Sequence, residues 1–130
     1  MRALLMLTLI VAPSGPALAH HQFSSEFDAT KRVTLTGTVV KMAWVNPHAW
    51  LYIEVTEPDG KVTPWALEFG IPRTLIRQGW RKEDLPPGAT VTIDGFLAKN
   101  GTKTANASKV TLAGGRVLFA GSSYGGDTAR

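Results

Sequence analysis

Cysteine is absent from the 130 residues. Its absence excludes a disulfide framework, a thiol nucleophile and any thiolate metal site, and leaves stability to packing. Charge is sparse and unclustered, with 14 Lys and Arg against 10 Asp and Glu. No run of five or six like charges occurs, so a polyanion-binding patch is not written into the chain and nucleic acid is not an expected partner. Motifs for covalent or phosphate chemistry are missing as well. Gly121-Ser122-Ser123 lacks the G-x-S-x-G form of a nucleophile elbow, and Gly125-Gly126 belongs to no phosphate-binding loop. Asp28, Glu54, Glu68 and Asp94 have the chemistry of general acids or bases, but no motif ties a pair together. Solvent-facing strand positions account for them, and the sequence gives no ground for assigning catalysis.

A second long apolar run is also lacking. The one present, Ala3 to Ala12, follows Arg2 and is broken by Pro13-Ser14-Gly15-Pro16 before Ala17-Leu18-Ala19. About ten apolar residues are too few for a membrane-spanning helix, which needs roughly 20. A positive start, a short apolar core and an A-x-A site are the pattern of a cleavable signal peptide. Residues 1–19 are therefore expected to be removed, leaving a periplasmic chain that starts at His20 and has no membrane span. The remainder, about 110 residues, suits one domain with one core.

Strand signals dominate that remainder. Val33, Leu35 and Val39 share a face of a first strand at a period of two, and Gly37 marks a point where a barrel strand bends or bulges. Asn46-Pro47 marks a turn. Leu51, Ile53 and Val55 alternate with Trp50, Tyr52 and Glu54 in a second strand, and a third runs from about Val62 to Phe69, late-starting or at an edge because of Pro64. Pro72, Leu75, Ile76 and Gly79 read as one short helix between Gly70 and Trp80. Val91 to Gly95 is a fourth strand, Asn100-Gly101 a hairpin turn, Thr104 to Leu112 a fifth strand, and Arg116 to Ala120 a last short one.

Five principal strands with a helix between the third and fourth match the order of an OB-like Greek-key barrel, mainly β. An immunoglobulin-like sandwich would want about seven strands and has no place for the helix. The expected organisation is a signal peptide at 1–19, an N-terminal segment at 20–32 packing on the barrel through Phe23 and Phe27, the barrel at 33–120 and a flexible tail at 121–130. OB barrels bind ligands on the face of strands two and three and on the loops joining strands one to two and four to five. Here those loops are 45–49 and 99–103.

Three histidines carry the most pointed chemistry. His20 and His21 stand at the expected mature N-terminus, and His48 follows Asn46-Pro47 in the first binding loop. A free α-amine has a pKa near 8, within reach of metal-driven deprotonation, so His20 would offer amine and imidazole nitrogens from one residue. His48 would complete a three-nitrogen set that suits Cu(II), and His21 in second position offers an alternative chelate through the amine, a backbone amide and its imidazole. Copper is thus the cofactor this pattern favours. Equally, two histidines at a terminus are ordinary solvated residues, and His48 can satisfy a carbonyl near Trp50.

A second constellation is aromatic. Trp44, Asn46, Trp50, Tyr52 and Trp65 are candidates for a ligand-binding face that would stack a glycan or other small ligand, although such rings also cover barrels. A third reading is a module for an envelope protein partner, which needs an exposed sheet edge or apolar patch.

His20-His21-Gln22-Phe23, Glu26-Phe27-Asp28, Leu35-Thr36-Gly37-Thr38-Val39, Trp44-Val45-Asn46-Pro47-His48-Ala49-Trp50, Gly79-Trp80 and Phe119-Ala120-Gly121-Ser122-Ser123 together give the mature chain a further likeness. It resembles a family of short exported bacterial proteins known only as a domain of unknown function. Gln22 departs from that pattern, which has Ser there. The resemblance implies an envelope location and an OB-like barrel, and it carries no activity, ligand or catalytic residue.

Overall fold

Alternation of apolar and polar residues sends every second strand side chain into one core in the computed structural model, which describes residues 23–121. The elements are β1 (Phe27–Ala43), β2 (Trp50–Thr56), β3 (Val62–Glu68), α1 (Pro72–Arg77), a 3-10 turn (Lys82–Asp84), β4 (Thr90–Ala98), β5 (Thr104–Leu112) and β6 (Val117–Phe119). The strands form one sheet in the order β3-β2-β1-β4-β5-β6. A parallel pairing of β3 with β5, the other pairings being antiparallel, closes the first five strands into a ring. That closure, with α1 between β3 and β4, is the OB-like barrel the strand order predicts.

Leu35, Val39, Leu51, Ile53, Leu67, Val91, Ile93 and Val110 fill the barrel. One end is stoppered by the segment after β3. Phe69 and Trp80 pack with ring centroids 5.6 Å apart, Leu75 of α1 is fully buried, and the Trp80 indole N–H donates to the Phe119 carbonyl at 2.7 Å. Gly79, at φ 105°, takes the left-handed turn that ends the helix, as its position predicts.

Several boundaries differ from the sequence expectation, each for a reason outside local pattern. β1 begins at Phe27, so residues 27–32, expected in the N-terminal segment, belong to the barrel sheet. Their register with β4 breaks between Phe27 and Arg32, which hides the alternation. The bulge expected near Gly37 lies between Val39 and Lys41. What Gly37 provides is close approach: a Cβ there would stand 2.6 Å from the Glu54 carbonyl oxygen. Pro64 sits inside β3 without cost because β5 joins that strand only from Ala66 onward, leaving its N–H side at an edge. The expected signal peptide, His20, His21 and all of the expected tail except Gly121 lie outside the described residues.

Candidate functional site

The chain between β1 and β2 leaves the barrel at Trp44, turns through a cis Asn46-Pro47 peptide and re-enters at Ala49. Ala49 is fully buried and is pinned by two backbone hydrogen bonds, from its N–H to Gly70 and from the Phe69 N–H to its carbonyl. His48 is thereby held beside the end of β3, with Nδ1 3.4 Å from Glu68 Oε1. Glu68 in turn accepts a 3.2 Å hydrogen bond from Asn106 Nδ2.

Strand register explains the arrangement. Trp50 pairs with Glu68, Glu68 with Asn106, Asn106 with Phe96, and Phe96 with Arg32. The neighbours Leu51, Leu67, Ala105 and Gly95 face the core, so this row lies on the outside of the barrel. Outside residues are ordinarily wet, yet Glu68 is 9% exposed and Asn106 6%. His48 stands over the Glu68 end of the row, and the N-terminal segment packs on the Phe96 end. Residues 23–26 form a helical turn, and Phe23 packs on Phe27 at 5.8 Å and edge-on to Phe96 at 5.7 Å. Lys99 clamps the same turn, its ammonium bonding the Ser24 carbonyl and its backbone N–H donating to Glu26 at 2.9 Å. Phe23 and Phe27 are buried but stand apart from the barrel core, a satellite cluster that straps the chain start to the sheet.

Burial pushes the Glu68 carboxyl above its ordinary range; the His48 charge opposes that shift, and Glu26 adds to it by repulsion. With the folded value raised, the fold favours the neutral acid. This contribution to stability is full below the ordinary carboxylate range and is lost as pH rises through the raised value. Glu68→Gln keeps an acceptor for Asn106 and removes the buried charge, so it should raise the melting temperature of metal-free protein at neutral pH. A gain of 1 kcal/mol corresponds to about 4–8 °C at this size. The gain should shrink toward zero in acid, where Glu68 is neutral. Thermal unfolding at pH 7 and pH 3 checks it, and a lower melting temperature at pH 7 would contradict it.

The sequence candidates separate. His48 is half-buried at the row's edge; His20 and His21 precede the described residues. Among the described residues no three His, Asp or Glu side chains converge as a metal-holding group. Asn46 is exposed in the turn. Trp44 packs against the core from its margin, and Trp65 faces inward opposite Ile53, so neither presents a ring on the β2–β3 face. Trp65 also leaves its indole N–H buried without a partner among the described residues, and the Lys103 ammonium lies 5.2 Å from its ring. Tyr52 faces outward beneath the Lys41 ammonium at 4.9 Å. Trp50 faces outward into a cleft of about 490 Å³ lined by Ser25, Glu26, Lys99, Asn100 and Thr104.

Glu68 is a correction to the sequence reading, which treated it with Asp28, Glu54 and Asp94 as a solvated strand position. For Asp28 and Asp94 that reading stands, since hydrogen bonds from Thr30 and Thr34 respectively hold their carboxyls below the usual range at the surface. Asn106 and Phe96 were missed altogether. Their role comes from register across three strands and from a cover 70 or more residues away, for which no local signal exists.

A model of the Family of unknown function (DUF6152) matches residues 8–107. No curated protein matches. Among solved structures, the mitochondrial single-stranded DNA binding protein Rim1 from S. cerevisiae is similar at 12% identity, over 71% of this chain and 97% of that chain, with a TM-score of 0.43.

Proposed function

The chain belongs to the DUF6152 family of unknown function, and from that premise we propose an exported, periplasmic binding protein that takes Cu(II) through its processed N-terminus and His48. The ligands in this reading are the α-amine and imidazole of His20 and Nε2 of His48, with His21 supplying the alternative second-position chelate. One observation carries it: a buried carboxylate stands against Nδ1 of the loop histidine. A carboxylate behind an imidazole orients the ring and favours the tautomer that carries its proton on Nδ1, which is how ligating histidines are commonly held. Nε2 makes no hydrogen bond among the described residues.

The strap supports the same reading. Phe23 is fastened to Phe96 and Phe27, and His20 is three residues earlier, within about 11 Å of chain reach. The row behind His48 and the anchor of the terminus therefore share one patch of the barrel. Copper retention or transfer would ask for that geometry, with the metal held at a surface where a partner can reach it.

Calorimetric titration of Cu(II) into protein processed to His20, followed by electron paramagnetic resonance, tests the reading. One-to-one binding is expected. His48→Ala should weaken it and reduce the number of coupled nitrogens. Glu68→Gln should weaken it about 10- to 100-fold, the usual effect of removing the group behind a ligating histidine, even though the same change stabilises the metal-free fold. Stoichiometric binding indifferent to both variants would sink the proposal.

A further inference from the structure

We infer that the cleft beside Trp50 is a binding site for a neutral pyranose oligosaccharide, independent of the copper reading. Among the candidate aromatics, Trp50 is distinguished by what does not touch it. Tyr52 lies under Lys41, Trp65 is inside the barrel, and Trp44 is packed against the core, whereas Trp50 makes no ring or cation contact among the described residues. Its indole is half-buried, which holds the ring in place and leaves surface for a ligand. The cleft volume of about 490 Å³ falls within the usual range for small-ligand sites, roughly 300–1,000 Å³.

The lining supplies the other half of the chemistry. A pyranose presents an apolar C–H face and a rim of hydroxyls that both donate and accept. Against it the cleft sets the Trp50 indole, the Glu26 carboxylate, the Asn100 amide, whose Oδ1 already accepts from Thr102 and whose NH2 is left to donate, and the Thr104 hydroxyl, which accepts from Thr102 and can donate. Glu26 opposes an anionic ligand and offsets the Lys99 ammonium, which donates to the Ser24 carbonyl, so among the described residues the cleft lining carries no net positive charge to neutralise a phosphate or uronate. That balance selects a neutral sugar over a nucleic-acid strand, whose backbone would need unpaired basic side chains. The site also lies where OB barrels take ligands, between the β4–β5 loop and the start of β2.

Metal-free protein titrated with chitotetraose and with cellotetraose, followed by tryptophan fluorescence and by amide chemical shifts, provides the test. Saturable binding of at least one sugar is expected, with shifts confined to residues around Trp50, Lys99 and Thr104. Trp50→Leu should weaken it about tenfold or more, and Asn100→Ala, which also removes the two hydrogen bonds that Asn100 Oδ1 accepts from Thr102 in the exposed β4–β5 turn, about threefold or more. Circular dichroism melting of both variants separates lost binding from lost folding. Absence of saturation with both sugars, equal affinity in a folded Trp50→Leu variant, or tighter binding of a single-stranded oligothymidine than of either sugar would overturn the inference. Because no copper is present, none of these outcomes bears on the metal proposal.

Discussion

Gly95→Ala should cost this domain more stability than any other single methyl group added to the barrel. A Cβ at residue 95 would stand 2.3 Å from the Asn106 carbonyl oxygen, 3.1 Å from its carbonyl carbon and 3.3 Å from the Ala107 Cα. All three are backbone atoms of β5, so no rotamer change relieves the contact. Relief requires β5 to move away from β4 at the place where their register already shifts and where Ser108 Oγ donates to the Asp94 carbonyl at 2.9 Å. Overpacking a core ordinarily costs about 1–3 kcal/mol, and a collision with fixed backbone belongs at or beyond the top of that range. A cost of about 3 kcal/mol lowers the melting temperature by on the order of 15 °C. Gly114→Ala is the matched control, since among the described residues nothing lies within 4 Å of its Cβ position and its φ is not in the left-handed region. Thermal unfolding of both variants checks the contrast, and a Gly95→Ala protein melting with the parent would show that the seam yields more easily than its geometry allows.

The same seam links fold to site. Asn106 is the residue whose carbonyl Gly95 admits, and its side chain holds Glu68. A displaced β5 would therefore loosen the carboxylate behind His48 as well as the Phe96 platform paired to Asn106. A glycine in mid-strand thus limits how accurately the outer row can be positioned, even though it touches no ligand.

How much of this was legible beforehand follows from the range of each signal. The five strands, the helix after β3 and the turn at Asn100-Gly101 were readable because each rests on residues close together in sequence, such as Leu51-Tyr52-Ile53 or Pro72 with Gly79. The inward turn of Trp65 was not, because Trp50 and Tyr52 face out while the register with Ile53 sets Trp65 on the other face, and a one-residue slip reverses that. Glu68 was misread for a related reason. Its parity on β3 points outward, and what converts that position into a buried one comes from elsewhere in the chain, the His48 loop beside it and the strap fastened through Phe23 and Lys99. His48 was recognised as a candidate from its loop, but the carboxylate that orients it comes from another strand.

On the copper proposal, extending a chain that begins at His20 by Gly-Ser-Gly should weaken Cu(II) binding at least about 100-fold, more than removing the group behind His48. Three added residues carry the α-amine up to about 11 Å along the chain from His20. Metal–nitrogen bonds tolerate only about 0.2 Å, so the amine and the His20 imidazole can no longer form one small chelate ring. A single added residue is the wrong control, because it would place His21 third in the chain. Amine, two backbone amides and a third-position imidazole make a square-planar Cu(II) site in any unfolded peptide. Such a protein would still bind copper, but without regard to His48 or Glu68. The informative comparison is therefore the coupling between terminus and loop. In protein beginning at His20, His48→Ala should cost affinity; in the Gly-Ser-Gly variant, binding should be weak and the same substitution nearly silent. Non-additivity of that kind marks two groups acting on one ion, whereas independent, additive losses would assign His20 and His48 to separate weak sites.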